Sequence, residues 1–275
     1  MARAGVVPPT PITPWGDIAI ASTSYVQNSS TISDGSNSYW PNGLFFKPDG
    51  TKMFIMGWRN GTGTSDLLEF SLSVAWDISS ASYTTQVSSV TSNYGRGCEF
   101  KRDGTALFFY DNSRVMCKYT LSTAWDLSTA SLDSSNSTSF ATVTTPQPRN
   151  PFFSEDGKTV LISDNNNDAL YQFSLSTAWD ISTGSVSYVA SFSTTSYTTH
   201  PRGVFASSTG DQIFLLSNFG AVYKFTTTDF DITSLVADGS YSNANLQSAI
   251  FMDYDNLKMY SATISNIVSE YDITT

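Results

Sequence analysis

The chain has 275 residues, a formal net charge of −10 and only 14 Lys and Arg residues, which form no run. This charge excludes a protein that binds nucleic acid by neutralising the phosphate backbone. No window of about 18 apolar residues occurs, so we expect no insertion into a membrane. Ser, Thr and Asp are abundant whereas Glu and Lys are scarce, a composition typical of strands and turns.

The N-terminal segment divides into two parts. Residues 1–14 contain four prolines, so we predict an extended arm that does not join the interior of a sheet. From Trp15 the segment WGDIAIASTSYV resembles WDISSASYTTQV, which begins at Trp76. We therefore predict that residues 18–32 pair beside the strand that ends near Tyr271.

Five copies of one motif follow, each an apolar strand, a turn and a second strand. The copies read FFKPDGTKMFIM, EFKRDGTALFFY, FFSEDGKTVLIS, FASSTGDQIFLL and FMDYDNLKMYSA. The turn positions, separated by 54, 53, 53 and 46 residues, are Asp49, Asp103, Asp156, Thr209 and Asp255. A third strand with alternating polarity follows each copy, and a Ser- and Thr-rich segment supplies a fourth. Four strands per repeat at this period predict the blade of a β-propeller.

We therefore predict an all-β fold, a five-bladed β-propeller with four-stranded blades. Residues 1–14 form the arm and residues 15–275 form the propeller as a single domain. The chain stops at SEYDITT, in the third strand of the fifth repeat. The N-terminal strand is expected to supply the missing outer strand and to close the ring, which removes a free sheet edge.

A second phrase, LSTAWDLSTAS, begins at Leu121 and recurs from Leu175 and, more weakly, from Leu72. One repeat position in this phrase holds an aromatic residue followed by Asp: Trp76, Trp125, Trp179 and Phe230. These rings either form a ligand platform in each repeat or lie between neighbouring blades, with the Asp holding the next turn. Near identity between copies favours the second interpretation, because contacts between blades repeat around a ring whereas a single ligand does not.

The opposite face of the propeller carries the loops that differ between repeats, where function is expected. One position there directly precedes the first strand of each repeat and holds Asn42, Arg96, Arg149, Arg202 and Ser248. The three arginines are expected at the mouth of the central channel. They either bind the anionic group of an acidic sugar or peptide, or pair with acids such as Asp111 and Asp164 to hold adjacent blades together. Because repeats arise by copying, we favour the second alternative.

Aromatic residues on the same face complete the predicted ligand-binding site. Trp40, Trp58, Tyr94 and Phe219 lie in or beside Asn-rich loops, and rings and amides are the groups to which sugars bind. Groups for catalysis are scarce, since His200 is the only histidine and Glu99 is the only acid well inside a first strand. We therefore predict no enzyme, no catalytic residue, no metal site and no cofactor.

The phrase YTLSTAWDLSTAS and the segment FKPDGTKMF resemble the repeats of β-propeller proteins of marine bacteria and their phages, including virion components. More distantly, the chain is similar to propellers with YVTN and NHL repeats. The resemblance covers about residues 15–275 and is specific to the blade. The fifth copy departs most, with Asn256 in place of Gly and no Trp after Glu270.

This resemblance implies a non-enzymatic structural or receptor-binding protein at the virion surface of a phage, for decoration or adhesion. Its expected partners are other virion proteins, contacted through residues 1–14, and a host surface glycan. The alternatives are a free extracellular lectin that binds glycans and a five-bladed glycoside hydrolase.

Overall fold

The computed structural model describes residues 19–92, 94–111, 113–139, 147–263 and 265–274. The predicted arm, residues 1–14, and Trp15 lie outside these ranges. Strands dominate, and the helices found in these ranges are 3-10 turns of three residues: Ile20–Ser22, Ile78–Ser80, Leu127–Thr129 and Ile232–Ser234. No helix in the described part of the chain is long and apolar enough to cross a membrane.

The strands follow one another as antiparallel meanders. The first meander comprises β2 (Tyr39–Phe46), β3 (Lys52–Arg59), β4 (Thr64–Leu72) and β5 (Ala81–Ser92). The second comprises β6 (Arg96–Phe100), β7 (Ala106–Tyr110), β8 (Val115–Leu121), and two short strands that both pair with β8, β9 (Ala130–Leu132) and β10 (Thr138–Ser139).

An eight-stranded sheet contains the next two meanders. Its strands are β11 (Pro148–Phe153), β12 (Thr159–Asp164), β13 (Ala169–Leu175), β14 (Val186–Ser193), β15 (Pro201–Ala206), β16 (Gln212–Ser217), β17 (Ala221–Thr226) and β18 (Val236–Ser242). The two halves meet where Asn150 of β11 pairs in parallel with Gly203 of β15. Each half is by itself a four-stranded antiparallel unit.

The last meander joins the two ends of the chain. It comprises β19 (Ala249–Asp253), β20 (Lys258–Ala262), β21 (Val268–Asp272) and, from the N-terminal segment, β1 (Ser24–Asn28). β1 pairs antiparallel with β21, and Tyr25 lies opposite Tyr271. The Gln27 amide donates hydrogen bonds to Glu270 at 2.8 Å and to Asp77 at 3.0 Å. The predicted pairing of the N-terminal strand with the strand near Tyr271 is therefore confirmed.

The first strands of the meanders lie side by side. β2 contacts β6, β6 contacts β11, β11 contacts β15, β15 contacts β19, and β19 contacts β2. Glycines permit this close approach, because a Cβ on Gly43 would overlap with the backbone of Gly97, and one on Gly97 would overlap with Pro151. The sheets therefore curl around a common axis that is lined by their first strands.

The aromatic rings of the repeated WD phrase pack between meanders. The Trp125 ring stacks on Phe100 of its own meander, with centroids 5.2 Å apart, and lies 6.2 Å from Phe45 of the preceding one. Its backbone N–H donates to the carbonyl of Gly104, in the DG turn, at 3.1 Å. A Cβ on Gly104 would overlap with the Trp125 ring, so the indole packs directly on this glycine.

The same arrangement recurs around the fold. Rings seated on the glycine of a turn are Trp76 on Gly50, Trp179 on Gly157 and Phe230 on Gly210. The Asp after each aromatic accepts a hydrogen bond from the backbone N–H two residues later, as between Asp126 and Ser128 at 2.9 Å. The structural interpretation of the WD phrase is thus confirmed, and the two repeated landmarks form one contact.

Candidate functional site

The predicted ligand position lies at a β-bulge in four of the first strands. In β2 the register shifts between Pro41 and Gly43, which leaves Asn42 as the extra residue. In β15 it shifts between Pro201 and Gly203, which leaves Arg202 as the extra residue. In β6 the register shifts directly after Arg96. In β11 it shifts across residues 149–150. A bulge interrupts the ladder and re-aims a side chain, so Asn42, Arg149 and Arg202 have no antiparallel ladder partner, whereas Arg96 lies opposite Tyr110 directly before the shift.

Within the described residues, four of the side chains at these positions each have one buried nitrogen atom that donates no hydrogen bond. We call Asn42, Arg96, Arg149 and Arg202 the donor cluster. Within the described residues, the Nε atoms of the three arginines and the Nδ2 atom of Asn42 are buried and have no hydrogen-bond partner. Arg149 makes one long hydrogen bond through Nη2, to the side-chain oxygen of Gln147 at 3.3 Å. Buried polar groups are normally paired, so a group of four such donors requires an explanation.

The three guanidinium groups repel one another. Burial lowers the pKa of Arg96, and the charge of Arg202 lowers it further. Burial also lowers the pKa of Arg149, and both Arg202 and Arg96 add to that shift. The pKa of Arg202 is lowered by burial alone. The cluster is therefore a concentration of positive charge in a chain whose net charge is −10.

The favoured alternative for these arginines, pairing with Asp111 and Asp164, is wrong. Both carboxylates bind their own loops: Asp111 accepts from the Val115 N–H at 2.9 Å, and Asp164 accepts from three backbone N–H groups, at 3.0 Å from Gln147, 2.9 Å from Asn166 and 3.1 Å from Asn167. These short polar loops close by capping themselves, as Asp and Asn do in turns. Neither acid forms an ion pair with Arg96, Arg149 or Arg202, although the charge of Asp164 partly offsets the lowering of the Arg149 pKa.

Asn150, the residue after Arg149, links neighbouring first strands beside the donor cluster. Its Nδ2 atom donates to the carbonyl oxygens of Arg202, at 3.3 Å, and Ser248, at 3.0 Å, so one buried amide links three first-strand segments. In three other repeats the residue after the donor is Gly, as in Asn42–Gly43. The first strands thus converge directly after the donor position, and the channel narrows there. Sequence reasoning missed Asn150, although Gly follows the other three donors and Asn150 is the exception at this position.

Three of the four predicted aromatic residues form a continuous stack. Trp40 and Trp58 lie opposite each other on β2 and β3, with ring centroids 4.8 Å apart. Tyr94 stacks on Trp58 at 5.2 Å with an interplanar angle of 21°. We call Trp40, Trp58 and Tyr94 the aromatic stack. Trp40 and Tyr94 are 38% and 36% exposed, and each stands two residues before a member of the donor cluster. The stack therefore lies at one edge of the cluster.

Phe219 lies apart from the stack. It follows β16, is 68% exposed, and makes an edge contact with His200 at a centroid distance of 5.4 Å. The His200 Nδ1 atom is 3.0 Å from the Thr199 hydroxyl, and its backbone N–H donates to the Thr198 hydroxyl. His200 and Phe219 thus form a second exposed aromatic feature beside Arg202, without the geometry of a Ser/His/Asp relay.

The opposite end of the first strands has a different character. A cavity of about 370 Å³ is lined there by Arg102, Glu155, Asp253 and Asp255, among other residues. Arg102 lies 3.6 Å from Glu155, so this arginine has an acidic partner. Within the described residues, no group of three or more His, Cys, Asp or Glu side chains could hold a metal ion.

The comparisons with known proteins identify the fold. No family model matches the sequence, and no curated protein matches it. The chain is similar to the β-propeller domain of Cps50 (Swd1) from Myceliophteria thermophila, with 9% identity, 92% of this chain and 100% of that chain covered, and a TM-score of 0.51. The chain has a β-propeller fold.

The chain is also similar to a second solved structure. A functionally unknown protein from Desulfotomaculum acetoxidans DSM 771 is 12% identical, with 86% of this chain and 71% of that chain covered and a TM-score of 0.51. At these identities the likeness shows the fold alone. The function of this propeller must therefore be argued from its own residues.

Proposed function

We propose that the chain is a closed five-bladed β-propeller that acts as a non-enzymatic receptor-binding or decoration protein on a phage virion and recognises a glycan. The five-bladed ring is supported by the contact of β19 with β2 and by the β1–β21 pairing, which completes a fourth strand in the last meander. A closed ring of this kind presents its variable loops on one face. That face carries both the donor cluster and the aromatic stack.

The aromatic stack carries the proposal that the ligand is a glycan. Trp40 and Tyr94 keep more than a third of their surface exposed although their rings pack against Trp58. Exposed rings that are held rigid offer an apolar surface at little cost in conformational entropy. Buried amide and indole groups beside them, such as the unpaired Nε1 atom of Trp58, supply donors for hydroxyl groups. Apolar rings with a few polar groups are the usual lining of a ligand site.

A glycan array tests this function. The purified chain should bind one or more immobilised oligosaccharides, and Trp40→Ala should weaken that binding about tenfold or more, because it removes an aromatic contact. Tyr188→Ala is the matched control, since Tyr188 is 47% exposed on β14, away from the stack. Absence of glycan binding, or equal loss in the two variants, would exclude the aromatic stack as a sugar site.

The virion assignment is supported by the resemblance of the repeats and by the composition of residues 1–14, which lie outside the described residues. In the sequence, Val6, Val7 and Ile12 provide apolar side chains between prolines, as expected of an extended segment that docks in a groove of another protein. A chain lacking residues 1–13 should fold normally but should be missing from purified particles when they are analysed by mass spectrometry. Normal incorporation would favour a free extracellular lectin.

A further inference from the structure

The donor cluster has the chemistry of a site whose ligand is absent. Its four members come from four different first strands, β2, β6, β11 and β15, and all occupy the same repeat position. Each has a buried donor atom without an acceptor. A single unpaired donor could be incidental, whereas four at one repeat position, each within or directly before a register shift, share one cause. We propose that the donor cluster binds an oxyanion, a carboxylate, sulfate or phosphate group, at this end of the channel.

The local charge balance favours an anion over an internal partner. Asp111 and Asp164, the nearest candidates by sequence position, are occupied by their own loops. An arginine on the same face shows what pairing looks like here: Arg59 binds the fully buried carboxylate of Asp66, and that hydrogen bond raises the pKa of Arg59. Burial lowers the pKa of all three arginines of the cluster, and neighbouring arginines lower it further at Arg96 and Arg149, where the charge of Asp164 offsets part of the shift at Arg149. An anion would supply the missing neutralising charge.

Guanidinium geometry narrows the class of anion. Arg presents parallel N–H groups that match two oxygens of a carboxylate, sulfate or phosphate group. Three guanidinium groups whose charges act on one another, with the amide of Asn42 at the equivalent repeat position, suit a group with several acceptor oxygens better than a halide. The narrowing of the channel at Gly43, Gly97 and Asn150 limits the depth to which the ligand can enter. The oxyanion is therefore a terminal group that enters from the face with the variable loops.

The adjacent aromatic stack indicates what carries the oxyanion. Tyr94 precedes Arg96 by two residues, and Trp40 precedes Asn42 by two. A sugar ring against the stack would place a carboxylate or sulfate substituent toward Arg96. This part of the inference rests on the proposed glycan-binding function and specifies it: the ligand is an acidic glycan. The anion site itself stands on the donor cluster alone.

Thermal unfolding in titrations of sodium sulfate and sodium phosphate, at ionic strength matched with sodium chloride, tests the anion site. Sulfate or phosphate should raise the Tm of the parent chain by several degrees, because a ligand that binds only the folded state stabilises it. Arg149→Gln should abolish the increase. Arg102→Gln is the matched control and should keep it, since Arg102 lies at the other end of the first strands beside Glu155.

The Tm of each variant in the absence of oxyanion distinguishes a ligand site from a structural ion pair. Arg149→Gln should unfold at or above the Tm of the parent in chloride buffer, because it removes a repelling charge. Arg59→Gln should unfold at a lower Tm, because it leaves the buried Asp66 carboxylate without its cation. A fall in Tm for Arg149→Gln as large as that for Arg59→Gln would overturn the proposal. So would a parent chain whose Tm responds to sulfate no more than to chloride.

The source of the oxyanion is resolved by binding of monosaccharides measured by calorimetry. Galacturonate and a sulfated galactose should bind more tightly than galactose, and Arg149→Gln should remove the difference. Binding of inorganic sulfate without preference for the acidic sugars would retain the anion site and reject the acidic glycan. The sulfate titration involves no sugar, so its result tests the anion site alone. The comparison of sugars tests the glycan function separately.

Discussion

Charged side chains at the two ends of the first strands differ in their hydrogen-bond partners. At the end with the DG turns and the WD phrase, buried charges are paired: Lys52 binds Glu69 at 2.7 Å and the carbonyl of Trp125 at 2.7 Å, and Glu69 accepts from the Leu127 N–H at 2.9 Å. At the other end, the Nε atoms of Arg96 and Arg149 are buried and have no hydrogen-bond partner. Lys52 and Glu69 at the turn end thus have partners within the protein, whereas the Nε atoms of the cluster's arginines at the other end have none within the described residues.

This difference separates structural repetition from functional repetition. A contact such as that of Trp125 with Gly104 uses partners from within the repeat, so each copy is complete as soon as the chain folds. The donor position has no partner within its repeat. Repetition there places several similar donors near the axis. These donors can bind a ligand on the axis, but without a ligand their burial lowers the stability of the fold.

Removal of β1 should have the largest effect. A chain that begins at residue 29 loses the strand beside β21 and the Gln27 amide that links Glu270 to Asp77. Its Tm should fall on the order of 10 °C, because a whole edge of the sheet is exposed. The chain lacking residues 1–13 is the control and should melt like the parent. Equal melting curves for all three chains would show that β1 does not stabilise the fold.

A comparison of one aromatic residue from each end should give a smaller but clear effect. Trp125→Ala should lower the free energy of unfolding by about 3 kcal/mol, the lower end of the range for truncation of a large aromatic side chain, because Trp125 is partly buried against the core. Phe219→Ala, at the end with the variable loops, should change it by less than about 0.5 kcal/mol, because Phe219 is mostly exposed. Urea unfolding measures both. Similar losses in the two variants would contradict the division between the ends.

Glu99, which lies between the two ends on β6, should give a pH dependence. Burial raises the pKa of this carboxyl from 4.5 to about 8. The folded chain therefore keeps the proton that the unfolded chain has lost, and the free energy of unfolding should decrease as pH rises from about 4.5 to about 8, then level off.

Glu99→Gln should remove this decrease, because the amide stays neutral at every pH. Glu155→Gln is the control, since the Glu155 side chain is 41% exposed. Urea unfolding at pH 5, 7 and 9 would compare the three chains. A parent whose stability does not fall over this range would show that the Glu99 carboxyl is not held neutral.

The sequence allowed the repeated features to be predicted and the single ones only in part. The seating of Trp125 and the pairing of β1 follow from phrases that occur several times. The failure lay at Asp164, whose availability depends on how one loop closes around its backbone N–H groups. The series of asparagines after Asp164 is typical of such a self-capped turn.

The role of Asn150 was beyond prediction for a different reason. Its amide bridges Arg202 and Ser248, so its importance depends on the separation of three strands that are distant in the chain. The facing of Trp40 and Trp58 likewise depends on the register of β2 and β3 beside a bulge. Such distances follow from packing around the axis, which no local pattern encodes.

A crystal structure of the parent chain soaked in sodium selenate would test the central claim most directly, because selenium gives an anomalous signal and selenate mimics sulfate. We expect one anomalous peak within hydrogen-bond distance of Arg96, Arg149 and Arg202. An empty cluster whose guanidinium groups instead contact acids of the chain would contradict it.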